Sequence, residues 1–224
     1  MINRTVKRSA QDAAYEFVLN QITSGEWAPG TPIVETTITE ALEISRTPVR
    51  EACLRLLYDN YLEKLPNNRI RVASVTAKQL NEVYTVRQFL EKNIIEELIS
   101  NLTNDAISDL GNIINYLEVS VEMNNIPKTF FYMDQFHEYL ALFLKNDILL
   151  STLNVINGHI ARYRSLMVSE VKRKDLESIY ENHTNIYRAI VNKDKGEAKS
   201  LMKAWNANSQ RFLQKHLIKL GYFL

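Results

Sequence analysis

The chain has 224 residues, 46% of them hydrophobic and 24% charged, with a formal net charge of +1, which excludes a disordered or strongly polyionic protein and suits one large or two small globular domains. No apolar run approaches the roughly 18 residues of a membrane span, and residues 1–10 are polar and basic with no apolar signal-peptide core. The single cysteine, Cys53, excludes a disulfide framework, and the sequence reads as cytoplasmic, with no membrane partner.

Residues 9–23 place Ala13, Phe17, Val18 and Ile22 on one side of a predicted first helix, and Gly25 is its expected C-cap. A short second helix is expected to start at Thr37, because Thr37-Ile38-Thr39-Glu40 has capping-box spacing. The stretch Ser45-Arg46-Thr47-Pro48-Val49-Arg50-Glu51-Ala52 then opens a third, with Thr47 as expected N-cap and Pro48 as first helical residue. Val49, Ala52, Cys53, Leu56 and Leu57 form its apolar stripe. Arg46 and Arg50 lie off that stripe at the helix N-terminus, where the dipole favours anions. A phosphate or a guanine edge resolves that conflict, as in the recognition helix of a helix-turn-helix. Beyond Asn60 the pattern alternates. Residues 61–65 and 69–72 read as two strands around Pro66-Asn67-Asn68, with Ile70 and Val72 inward and Arg69 and Arg71 outward toward a phosphate backbone. Six basic side chains face three acidic ones between Arg46 and Val72, a local excess in a balanced chain.

After Pro66 the only proline is Pro127. Residues 76–100, 105–123, 129–144, 149–168, 176–191 and 196–217 carry apolar residues at three-four spacing, and Asn124-Asn125-Ile126-Pro127 reads as a connection. The expected fold is mainly α: a winged helix-turn-helix over residues 1–75, then an all-α antiparallel helical bundle over residues 76–224.

Gly25-Glu26-Trp27-Ala28-Pro29-Gly30, the Ser45 to Ala52 stretch, Leu56 and Pro66-Asn67 together resemble the winged helix of GntR-family transcriptional regulators. The resemblance implies contact with double-stranded operator DNA through Arg46, Thr47 and Arg50, assisted by Thr36, Arg69 and Arg71. Arg69 stands where the family's wing usually has a tip glycine. The later fragments Val86-Arg87 with Leu90-Glu91, Phe136-His137, His183 with Ala189-Ile190, and Asp194 with Ala198 and Met202 resemble the FCD effector domain of the FadR-like branch. That resemblance implies a homodimer, a small-molecule effector in the bundle and control of transcription, with repression the commoner mode.

Many FCD domains hold a divalent ion, such as zinc, through an Asp, a His one turn later and two further histidines. Here His137 and His183 match, Met133 stands at the aspartate position with Asp134 beside it, and Trp205 stands at the last histidine position. A metal site of His137, His183 and Asp134 is therefore incomplete, and no cofactor is expected. The other reading makes the two histidines hydrogen-bonded cavity residues that touch an organic effector. Arg87, at a position that often meets the carboxylate of an organic acid, is either an anion ligand or the partner of Glu91 at i, i+4. Tyr180, Tyr187 and Trp205 complete the effector candidates. The competing reading, an all-α metal-dependent enzyme with an ancillary winged helix, lacks a catalytic constellation in the sequence.

Overall fold

Ser9 caps the first helix: its hydroxyl accepts from Asp12 N at 3.0 Å and starts α1 (Ala10–Ser24). The computed structural model describes residues 9–223, so most of the basic N-terminal stretch lies outside the described residues. Gly25 closes α1 with a φ of 87°, a left-handed conformation that glycine adopts without steric cost. Ala14, Val18 and Ile22 of α1 are buried with Val49, Ala52, Cys53 and Leu56 of α3 (Arg46–Tyr58). Between them α2 (Glu35–Leu42) buries Ile38. It starts at Glu35, two residues before the expected Thr37, and its N-cap Val34 offers no side-chain hydrogen bond. The tight turn to α3 is made by Glu43 at φ 55°, with Ile44 N donating to Thr39 O.

The wing is an antiparallel pair, β1 (Leu62–Lys64) and β2 (Ile70–Val72), in the register Leu62↔Val72, Glu63↔Arg71 and Lys64↔Ile70. The free edge of β2 is covered by residues 30–33, through Gly30 N to Val72 O, Val72 N to Thr31 O and Ile33 N to Ile70 O. That third segment was not apparent from alternation, since Pro32 interrupts it. A deeply buried arginine, Arg162, donates to the carbonyl of Ala73 in the same unit; burial pushes its guanidinium pKa down.

Two units divide after Val75, except that Ala161–Leu166 belongs with the first. A cut at residue 75 alone misses that short return. The second unit is all-α: α4 (Ala77–Ser100), α5 (Asn104–Glu122), α6 (Ile126–Leu142), α7 (Asp147–Ser165) as far as Ile160, a single 3-10 turn (Val168–Glu170), α8 (Arg173–Val191) and α9 (Lys195–Lys219). Thr76 caps α4 by accepting from Gln79 N, as its spacing predicts. The expected connection at residues 124–127 is instead partly helical. Asn125 caps α6 by accepting from Lys128 N, and Pro127 sits in the first turn, where no intrahelical N–H bond is lost. Helix α4 packs on α6 and α9, and α8 on α5, α6 and α9. Leu80, Ile94, Ile95, Leu98, Leu110, Leu117, Phe136, Leu140, Leu176, Ile186, Ile190 and Leu213 fill the core. No helix of the described residues is long and apolar enough to cross a membrane.

Candidate functional site

In the first unit the candidate DNA-reading residues lie on exposed backbone around α3. Ser45, not the expected Thr47, is the N-cap, so Arg46 and Thr47 occupy the first two helical positions and Pro48 the third. All three still precede the fourth N–H, so proline costs no helix bond there. Arg46, Thr47, Arg50, Thr36 and Arg69 are exposed, as direct contact with a ligand requires. Thr36, Arg46 and Arg69 line one groove of about 470 Å³ with Glu35, Asn68 and Ile70. Arg50 is held by Glu35, Nε lying 3.2 and 3.0 Å from the two carboxylate oxygens, and remains 64% exposed. Its terminal nitrogens are thus aimed by a carboxylate on the neighbouring helix, a partner the sequence did not reveal. Arg71 faces its cross-strand neighbour Glu63 at 2.7 Å and is half-buried. The wing tip turns at Asn68, φ 62°, with Asn68 N donating to Leu65 O. Asparagine tolerates this conformation, so the turn that a glycine would make is displaced by one residue and Arg69 is left exposed. Cys53 is buried and its thiol is pushed up to about 11 by burial and the Glu35 charge, an inert packing group.

In the second unit, four helices bring Arg87, Glu91, His137, His183, Trp205 and Asn206 into one buried cluster. Arg87 Nε donates to Glu91 Oε1 at 2.8 Å, within one turn of α4. Asn206 Nδ2, on α9, donates to Glu91 Oε2 at 2.7 Å. His137 Nδ1, on α6, lies 2.8 Å from Glu91 Oε1, off the direction of a well-formed hydrogen bond. Its other nitrogen meets His183 Nε2, on α8, at 3.1 Å, and His183 Nδ1 donates to Ile179 O at 2.6 Å. Burial raises the Glu91 carboxyl, but Arg87, His137 and Asn206 hold it well below the usual carboxylate range. Burial and then the Arg87 charge push His137 down against the opposing pull of Glu91. His183 is pushed down to about 3 by burial and by His137.

Ile179 O can only accept, so His183 Nδ1 carries a hydrogen. Burial favours two neutral rings, which carry two N–H hydrogens for three close contacts: to Ile179 O, between the two Nε2 atoms, and to Glu91 Oε1. Two further atoms of the cluster are buried without a partner: Arg87 Nη2, a donor, and Asn206 Oδ1, an acceptor. The Asn206 amide orientation follows from its bond to a carboxylate, which can only accept. Asn206 also lines a groove of about 470 Å³ between α4 and α9, with Gln88, Phe89, Lys92, Lys199 and Lys203.

The arrangement does not fit the divalent ion that many FCD domains hold. His137 and His183 converge, but among the described residues no third His, Cys, Asp or Glu joins them in a group that could hold a metal. The Asp134 charge acts on His137. Met133, one turn before His137, is buried, and the Trp205 ring lies 4.6 Å from that of His183. Two imidazoles fall short of the three or four protein donors of a zinc site. Of the expected effector residues, Arg87, His137, His183 and Trp205 come together. Tyr180 donates to Glu118 at 2.6 Å and Tyr187 to Ile107 O at 3.2 Å, so both hydroxyls are engaged on α5. Glu91 entered the sequence analysis only as a partner of Arg87, and Asn206 was missed. Its signal was present: an amide on the apolar stripe of Ala198, Met202, Trp205 and Leu213.

A winged helix exposing arginines at its recognition helix, followed by an all-α domain with a buried polar cluster, defines a DNA-binding transcriptional regulator with an effector domain. The family model for bacterial regulatory proteins of the gntR family matches residues 10–72, and that for the FCD domain matches residues 82–207, more than half of the chain. The chain belongs to the GntR family, in its group with a C-terminal FCD domain. It is 28% identical over 208 residues to the uncharacterized HTH-type transcriptional regulator YdhC of Bacillus subtilis, covering 92% of each chain. It is 29% identical over 186 residues to the gluconate operon transcriptional repressor of Bacillus subtilis, covering 81% of this chain and 75% of the relative. Escherichia coli McbR/YncC has the same fold, with a TM-score of 0.83 at 22% identity over 93% of this chain and 98% of that one.

Proposed function

We propose that this regulator is a cytoplasmic, homodimeric repressor, not an enzyme, whose operator affinity is set by an organic acid bound at the Arg87–Glu91–Asn206 cluster. The observation that carries the reading is the pair of open valences: Arg87 Nη2 and Asn206 Oδ1 are buried, and neither has a partner. A buried unpaired donor or acceptor costs about 1–3 kcal/mol, and a ligand that supplies both partners recovers that cost on binding. A carboxylate suits the guanidinium, and a hydroxyl on the same molecule suits the amide oxygen. The lysines around the neighbouring groove favour an anion further. Two copies of the winged helix on a two-fold operator supply affinity and spacing. An effector that prefers one state of the dimer shifts the equilibrium between operator-competent and incompetent forms by its differential affinity.

The relatives support repression, since one of them is named a repressor of a gluconate operon. Fluorescence anisotropy on the operator, with hydroxy acids and their deoxy counterparts added, tests the reading. At least one acid is expected to change operator affinity, with the response absent in Arg87→Met. An acid response retained in full by Arg87→Met would refute the assignment.

A further inference from the structure

We propose that this FCD domain recognises its ligand without a divalent metal ion, because Met133 and Trp205 close two corners of a site of which His137 and His183 are the surviving half. The surviving half keeps the surroundings of a ligand pair. His183 Nδ1 is held by Ile179 O at 2.6 Å, and His137 Nδ1 faces Glu91 Oε1 at 2.8 Å. These are the carbonyl and carboxylate partners that orient imidazoles around a metal. The two Nε2 atoms converge to 3.1 Å, close to the about 3.3 Å that tetrahedral zinc–nitrogen bonds impose on two ligands.

The other half has been replaced. A thioether one turn before His137 supplies neither the charge nor the hard oxygen of a carboxylate. Trp205 is 7% exposed, and its ring centroid lies 4.6 Å from that of His183 at an interplanar angle of 70°. An indole offers no lone pair to a metal, and its bulk stands beside the histidine that a third imidazole would join. In place of an ion, a hydrogen bond between the two Nε2 atoms joins the rings. The cation at the centre is the Arg87 guanidinium, paired through Nε with the Glu91 carboxylate, and its open Nη2 is the donor that an acid meets directly. This last step rests on the effector assignment above; the metal content does not.

The test is zinc stoichiometry of the full chain, by native mass spectrometry and elemental analysis after zinc loading and dialysis. The unaltered protein is expected to retain well below one ion per chain. Met133→Asp with Trp205→His is expected to hold one zinc per chain, and adding His183→Ala to that variant is expected to remove it. One zinc per unaltered chain, lost in His183→Ala alone, would overturn the proposal. So would a double variant with unchanged circular dichroism that takes up no zinc. Should the double variant not fold, Trp205→His alone supplies a third imidazole and puts the same question, since three protein donors and a water suffice for zinc. A metal-free protein that answers to no organic acid would uphold this inference and remove the effector reading, which keeps the two failures apart.

Discussion

Removing the Glu91 carboxylate is the most informative perturbation of the effector domain. Its two oxygens hold Arg87 at 2.8 Å and Asn206 at 2.7 Å, and His137 lies 2.8 Å away, with Glu91 itself only 3% exposed. Glu91→Ala leaves Arg87 as a buried, unpaired cation. Breaking one side of such a pair costs roughly 3–5 kcal/mol, which lowers the melting temperature of a unit this size by about 6–20 °C. Arg87→Met with Glu91→Leu removes both charges and fills the volume, so it is expected to recover several kcal/mol of that loss, short of the about 1–3 kcal/mol for the amide of Asn206 left unpaired. The chain has two tryptophans, Trp27 and Trp205, one in each unit. In a Trp27→Phe background, fluorescence of Trp205 therefore follows the bundle alone during thermal and guanidinium unfolding. A double variant as unstable as Glu91→Ala would refute the reasoning, because it would place the function of Glu91 in its contacts with His137 and Asn206 rather than in the charge of Arg87.

Arg46→Ala and Arg50→Ala are each expected to weaken specific operator binding by roughly 1–3 kcal/mol and to narrow the gap to random DNA; equal losses on both sequences in anisotropy titrations would reduce the arginines to phosphate contacts. Glu43 holds the left-handed corner of the helix-turn-helix at φ 55°, so Glu43→Gly is expected to stabilise the first unit by up to about 1 kcal/mol, seen as a higher melting temperature with operator affinity retained. His183 is depressed to about 3 from an ordinary 6.5. The unfolded chain therefore binds its proton first, and stability is complete above pH 6.5 and falls as pH drops toward 3. Between pH 7 and 5 this residue alone accounts for a loss of about 2 kcal/mol. His183→Asn should flatten the melting temperature over that range relative to the unaltered protein, and an equally steep profile in the variant would place the titration elsewhere.

What could be read from the sequence followed from local rules, and what escaped it depended on contacts far apart in the chain. Thr76 capped its helix as spacing required, and Arg87 found Glu91 one turn away. The wing's two strands were visible through alternation, whereas the segment at residues 30–33 was hidden because Pro32 breaks the pattern that alternation detects. Helix starts failed where the cap was backbone geometry alone: Val34 is no capping residue type, and Ser45 makes no side-chain cap bond while Thr47, two residues on, is an equally good cap type. Glu43 was unreadable for the same reason, since a left-handed glutamate is selected by the turn and not by its own preference.

The buried polar cluster of the second unit escaped differently. His137 and His183 drew attention as metal-type residues, but Glu91, the carboxylate beside His137, is 46 residues away from it in the chain and looked satisfied by Arg87. Asn206 carried no motif at all. Its mark was a polar group set in an apolar stripe, where a side chain lacking full hydrogen bonding is costly unless a partner arrives. Local consistency therefore identifies what the chain builds for its own fold, and violations of it identify what the chain holds open for something else. Several of the violations in this bundle meet at Glu91: a cation, an amide and an imidazole beside one carboxylate, with Arg87 Nη2 and Asn206 Oδ1 left open. A core selected for stability alone would replace that set with leucines at little cost. Its place at the meeting point of four helices is what supports the proposal that the second unit receives a ligand.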